Sequence, residues 1–212
     1  MKSLMEYRAP LLLTAVAIVF FILQIAFPVF ESALILDSSQ VLTSPWRLVT
    51  AIFLHGDLTH LFYNILALVL FGLILEQIIG RKRFYVLFFA GGIVASVAAA
   101  LLYPFSLGAS GAVFAVLGCL AVLRPRMTVW VYFFPMPMAA AAVLWFLIDM
   151  VGLIAPSGIA NAAHIAGLVF GVLFGLVIKR RHEDHGYKFI YKRGKLLTEE
   201  DVDEWEDRYV GK

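Results

Sequence analysis

Six apolar runs, separated by short clusters of charge, constrain this chain more than any other feature. They cover residues 10–30, 58–79, 84–103, 110–123, 129–153 and 160–178. A bilayer core is about 30 Å thick, and a helix needs about 20 apolar residues to cross it. Five of the runs are long enough. The fourth, from Ser110 to Leu123, gives only about 21 Å of helix. Apolar residues make up 62% of the 212 and charged residues 15%, a balance foreign to soluble domains. The expected fold class is therefore all-α: a polytopic membrane protein built as a six-transmembrane-helix bundle with a short fourth helix. The first run is too long for a signal-peptide core and no cleavage site follows it, so it reads as a span. Residues 1–9 then form a short N-terminal segment, 10–180 the bundle and 181–212 a polar tail.

Orientation follows from lysine and arginine. Lys2 and Arg8 precede the first span, Arg81-Lys82-Arg83 follow the second, Arg124 and Arg126 the fourth, and Lys179-Arg180-Arg181 the sixth. With six spans all four groups fall on one side, expected to be cytoplasmic, with both termini there. The opposite loops carry one basic residue, Arg47. The protein is thus expected to be a multi-pass integral protein of the cell membrane, in contact with lipid. A net charge of +2 gives no basic surface for nucleic acid. The single cysteine, Cys119, sits in an apolar run and reads as an inert core thiol. No cofactor or metal is implied, since His182 and His185 belong to a solvated tail. Within that tail, Thr198-Glu199-Glu200-Asp201 is expected to cap a short amphipathic helix carrying Val202 and Trp205.

The first long loop, residues 31–58, is too apolar for a solvated linker. It reads as short amphipathic pieces at the headgroups, with Trp46 and Arg47 anchoring or folding it. His55, just before the second span, has a loop role. Glu76 near the other end of that span pairs with Arg81 and Arg83. For Asp149, in the fifth run, a third catalytic group orienting a histidine is the alternative, but snorkelling or capping a loop is the preferred reading, and it is given no catalytic role. Ala155-Pro156-Ser157-Gly158 after it is a flexible turn.

Four polar groups collect at one depth, level with Ser110. His60 and Asn64 are four residues apart and share a helix face. His164 opens the sixth span. There Ala163, Gly167, Gly171 and Gly175 recur every four residues, and the fourth span answers with Gly111, Ala115 and Gly118. Smooth faces of this kind let helix backbones approach closely. A serine hydroxyl is a poor nucleophile until a base takes its proton, and histidine titrates near neutrality. Attack on an amide creates an oxyanion that preorganised donors must stabilise. His60, Asn64 and the backbone N–H of Ser110 can supply them, the last because the first N–H groups of a helix lack helical partners. Hydrolysis consumes water, so the pocket must open to the outside.

Gly108-Ala109-Ser110-Gly111, with His60-Leu61-Phe62-Tyr63-Asn64 upstream and Ala163-His164-Ile165-Ala166-Gly167 downstream, resembles the rhomboid intramembrane serine proteases. Trp46-Arg47 and the glycine face of the last span resemble them too. The likeness covers about residues 10–180. It implies a rhomboid-like fold, a catalytic Ser110–His164 dyad without an acidic member, and oxyanion stabilisation by His60, Asn64 and Ser110. Gly108, Gly111, Phe114, Gly167 and Gly171 would pack the site. The substrates implied are single-span transmembrane proteins, entering between spans two and five and cut near the outer face at small residues in helix-destabilising segments. Some members carry tyrosine where this chain has Phe114, which stacks but donates no hydrogen bond. The alternative is a rhomboid-like non-catalytic protein that binds or chaperones membrane clients; such proteins lack the dyad. A small transporter would show internal symmetry or paired midplane charges, and the sequence shows neither.

Overall fold

A computed structural model describes residues 8–131, 133–155, 158–183, 190–192 and 195–197. Lys2, Pro156, Ser157, His185 and the helix expected at 198–205 lie outside the described residues. Four helices are long and apolar enough to cross a membrane: α1 (Ala9–Ala26), α4 (Leu58–Ile79), α5 (Arg81–Leu102) and α8 (Asn161–Glu183) through Arg180. Two shorter apolar helices, α6 (Ser110–Leu123) and α7 (Met138–Ile154), complete the bundle. Between α1 and α4 lie two short helices, α2 (Pro28–Leu34) and α3 (Arg47–Thr50).

Prolines redraw two of the runs. The first does not continue to residue 30: α1 ends at Ala26, Phe27 is extended, and Pro28 starts a new short helix. Proline disfavours a helical residue before it and suits a first turn. The fifth run does not begin as a helix either. Its first part folds into a hairpin of β3 (Thr128–Val131) and β4 (Phe134–Pro137), and only Met138 onward is helical. Pro135 and Pro137 lack N–H groups and would break a helix interior, while Thr128-Val129-Trp130-Val131 alternates exposed and buried with the period of a strand. A further hairpin pairs β5 (Ile190–Lys192) with β6 (Lys195–Leu197).

Helix α6 is the centre. Ten of its fourteen residues are buried, against six of eighteen in α1. Its tightest neighbour is α8. A methyl group at Gly167 would overlap the Gly111 carbonyl, one at Gly171 the Ala115 carbonyl, and one at Gly118 the Leu168 carbonyl. Side chains are absent where the two backbones cross, and that absence sets their separation. On the other flank Gly91 of α5 meets the Ala115 methyl.

Polar side chains tie the ends together. Glu76, wholly buried, accepts from the Ala9 N–H at 3.2 Å and from Arg81 Nε at 3.3 Å. A carboxylate there satisfies an orphan donor at the α1 N-terminus and complements its dipole. Gln24 of α1 exchanges two bonds with the His55 backbone: its Nε2 donates to the carbonyl at 3.2 Å and its Oε1 accepts the N–H at 3.0 Å. Arg47 is buried, and its Nη1 donates to the Ser32 and Ile35 carbonyls at 3.0 and 2.6 Å. It therefore closes the C-terminus of α2, while Trp46 is exposed. Thr50 Oγ1 donates to Leu34 O at 2.8 Å, which fastens α3 to the same helix end.

Two stability predictions follow from these contacts. Gly171→Ala would overlap the Ala115 backbone outright and should cost about 2–3 kcal/mol, whereas Gly175→Ala, whose methyl would sit 3.0 Å from the Val122 Cβ and 3.1 Å from the Cys119 carbonyl oxygen, needs only a small shift and should cost about 1 kcal/mol. Unfolding midpoints of the purified variants in detergent check the order. His55 is fully enclosed, and burial together with neighbouring His60 holds its pKa down at about 4 against the usual 6.5. The unfolded chain takes a proton below about pH 6.5 that the folded chain refuses, so stability should fall as pH drops from about 6.5 to 4. A depression of this size corresponds to roughly 3 kcal/mol at most. His55→Phe should flatten that part of the pH dependence of the melting temperature.

Candidate active site

Ser110 is the first residue of α6, and the turn that delivers it is tied from three directions. Gly108 takes φ +121°, a backbone setting that glycine adopts readily. Its N–H donates to Ala51 O at 2.9 Å. Just upstream, β1 (Leu36–Asp37) pairs antiparallel with β2 (Phe105–Ser106). The third constraint is the His60 ring: a methyl group at Gly108 would lie 2.7 Å from its Cε1 and 2.8 Å from its Nε2. The imidazole of His60 therefore rests directly on the turn before Ser110.

His60 sits in the first turn of α4, where Asp57 caps the helix by accepting the His60 N–H at 2.8 Å. The Gly56 N–H points at His60 Nδ1 from a long 3.5 Å, an acceptor role that in a neutral ring leaves the proton on Nε2. Asn64 follows one turn later and is buried. Its Nδ2 donates one N–H to the His60 carbonyl at 3.0 Å, and the same nitrogen carries a second.

His164 lies in the first turn of α8. Its ring stacks on Phe114, with centroids 4.3 Å apart and planes 9° from parallel; Phe114 in turn meets Trp145 edge-on at 6.4 Å. The Ala162 N–H donates to the Tyr103 hydroxyl at 3.2 Å, pinning this end of α8 to α5. Gly167, one turn beyond His164, contacts Gly111, the residue after Ser110. Serine and histidine thus stand at the same end of one seam. Among the described residues no hydrogen bond joins Ser110 Oγ to His164, whose bonded nitrogen is Nδ1; catalytic hydrogen bonds are often long or misaligned before substrate binds. A cavity of about 20 Å³ adjoins Ser110 and is lined in part by Ser96, Ser106 and Gly108, room for about one water.

Asp149 departs from the sequence reading. It neither snorkels nor caps a loop: it is 4% exposed, and its Oδ1 lies 2.9 Å from His164 Nδ1. An ionisable group inside an apolar helix is expensive and is retained where it finds a partner. Here α7 turns the carboxylate inward onto the imidazole. That cost was the signal available in Trp145-Phe146-Leu147-Ile148-Asp149, a lone acid in an otherwise apolar stretch. The expected partners of Glu76 also change, since the α1 N-terminus joins Arg81.

The fold and site define a polytopic helical membrane protein in which a serine and a histidine open two helices packed backbone to backbone. A rhomboid-domain family model matches residues 42–181, and the chain belongs to the rhomboid family. It is 33% identical over 168 residues to Rhomboid protein 1, mitochondrial, of Saccharomyces cerevisiae, covering 72% of this chain and 47% of that protein. Similarity to Rhomboid protease GlpG of Serratia proteamaculans is 34% over 154 residues, 70% of this chain and 53% of the relative. With Rhomboid protease GluP of Bacillus subtilis it is 36% over 130 residues, 59% and 24%. The chain therefore spans about half, or less, of the length of these relatives.

Gly108 and Gly80 separate backbone strain from collision. Both have positive φ, +121° and +80°, but nothing lies within 4 Å of a methyl at Gly80. Gly80→Ala should cost about 1–2 kcal/mol of strain, and Gly108→Ala distinctly more because the His60 ring must move. Unfolding midpoints give the comparison, and the histidine ring resonances of Gly108→Ala should show His60 displaced.

Proposed function

We propose that this protein is an intramembrane serine endopeptidase that hydrolyses a peptide bond in or near the transmembrane segment of single-span membrane proteins. Membership of the rhomboid family, with relatives named as rhomboid proteases, supports the class. The observation that carries the residue assignment is the α6–α8 seam, with Ser110 and His164 at the same end of a backbone contact between Gly111 and Gly167.

In this reading Ser110 Oγ attacks the scissile carbonyl carbon while His164 Nε2 takes the hydroxyl proton. Nε2 is the nitrogen free to do so, since Nδ1 is engaged in a 2.9 Å contact with Asp149. The new oxyanion is met by the Ser110 backbone N–H, the His60 Nε2–H and the remaining Asn64 N–H. His164 then protonates the leaving amine, and the acyl group stays on Ser110. Water gives a proton to His164 and attacks the acyl carbon, after which Ser110 regains its proton. The water-sized cavity beside Ser110 supports a hydrolytic site, and the stacked Phe114 ring supports a fixed imidazole plane.

The clustering of Lys and Arg supports both termini on the cytoplasmic side of the cell membrane, with the Ser110 end facing outward.

Ser110→Ala and His164→Ala, each purified and reconstituted in liposomes with a single-span test substrate, should cut at least a thousandfold more slowly while keeping the wild-type melting temperature within a few degrees. His60→Ala and Asn64→Ala should each lose about 3 kcal/mol of transition-state stabilisation. Undiminished cleavage by purified Ser110→Ala would overturn the assignment.

A further inference from the structure

We propose that Asp149 is a positioning residue for His164: its carboxylate fixes the tautomer and plane of the imidazole and balances the positive charge that develops when the ring takes a proton. The proposal rests on the assignment of His164 as the base and adds a third member to the machinery.

Three observations carry it. The contact is short, 2.9 Å from Oδ1 to Nδ1, and joins two helices, α7 and α8, rather than neighbours in one chain segment. Both side chains are enclosed, 6% and 13% exposed, so water competes weakly for either. Finally, the ring is held on its face as well as at its edge. Phe114 stacks at 4.3 Å and 9°, which fixes the plane, and Asp149 fixes the rotation within that plane. A histidine gripped in these two ways has one nitrogen left to work with, Nε2.

The chemistry follows from the donor inventory. An ionised carboxylate accepts and does not donate, so a neutral His164 must carry its proton on Nδ1 and present the Nε2 lone pair. When Nε2 takes the proton from Ser110, the pair becomes an ion pair without either side chain moving. No proton needs to pass to Asp149. An amide in the same position can turn its NH₂ toward Nδ1, which favours the opposite tautomer and puts the proton on the nitrogen meant to act as base. In serine hydrolases with an acidic third member, that exchange preserves geometry and removes most of the rate.

A ¹⁵N histidine spectrum tests the tautomer without any need for turnover. In wild-type and Ser110→Ala protein the neutral His164 ring should show protonated Nδ1 and bare Nε2. In Asp149→Asn the pattern should reverse or mix. Cleavage kinetics in liposomes should show kcat down at least a hundredfold for Asp149→Asn with KM within about twofold, and partial recovery in Asp149→Glu. If Asp149→Asn misfolds, Asp149→Glu and the wild-type spectrum still decide. A wild-type ring with Nδ1 bare, an unchanged tautomer in Asp149→Asn, or an unchanged kcat would each overturn the proposal. Its failure is distinct from failure of the proposed function. Cleavage by Ser110→Ala would strike the protease assignment and leave the tautomer result standing, whereas an altered role for Asp149 alone would leave Ser110→Ala inactive.

Discussion

The backbone contact between α6 and α8 is the constraint from which the rest of the structure follows. Lipid tails are as apolar as leucine, so helices in a membrane gain little from burying apolar surface against each other. Close van der Waals contact and polar pairing must do that work instead. Glycine at 118, 167 and 171 removes the side chains that would keep the axes apart, to the point where an added methyl would overlap a carbonyl oxygen, and Gly111 supplies the carbonyl that Gly167 meets. Such a seam has little freedom to slide. It fixes the register of Ser110 against His164 more firmly than any contact between the two side chains could.

A fixed register matters because α6 is short. With 14 residues against 22 in α5, it is about 12 Å shorter, and because Gly111 meets Ala95, the stretch of α5 from Ser96 to Leu102 runs on past the serine end. The long first loop fills that space. Leu36 and Asp37 pair with Ser106 and Phe105, Ala51 receives the Gly108 N–H, and Gln24 holds His55 from the side of α1. Arg47 stabilises the loop from within by occupying the carbonyls at the end of α2. A polar turn set below the end of α5 thus obtains its hydrogen bonds from protein.

Much of this was legible in the sequence. Long apolar runs bounded by basic clusters announce helices, because no other open structure satisfies its backbone in lipid. The four-residue recurrence of Ala163, Gly167, Gly171 and Gly175 announces a smooth face, and Gly111, Ala115 and Gly118 its counterpart. The ends of the runs were less legible, since hydropathy is blind to proline geometry: Pro28 cut the first run and Pro135 turned the start of the fifth into a hairpin. A histidine-orienting role for Asp149 could be named from the sequence but not preferred over snorkelling or capping. Fifteen residues separate it from His164, with a chain reversal between, and which way an acid on α7 faces depends on how α7 lies against α8. Periodicity within one helix carries no such information.

Two buried acids show why that difference counts. Glu76 and Asp149 both sit on otherwise apolar helices, and each must be paired to remain there. Glu76 meets a backbone N–H and the Arg81 guanidinium, neither of which changes its protonation near neutrality, so the contact has one state and can only hold α1 and α4 together. Asp149 meets an imidazole, which has two neutral tautomers and a doubly protonated, charged form. The same carboxylate chemistry therefore braces the bundle in one place and selects among ring states in the other. What separates the two roles is the partner, and here the partner stands at the end of the seam beside Ser110.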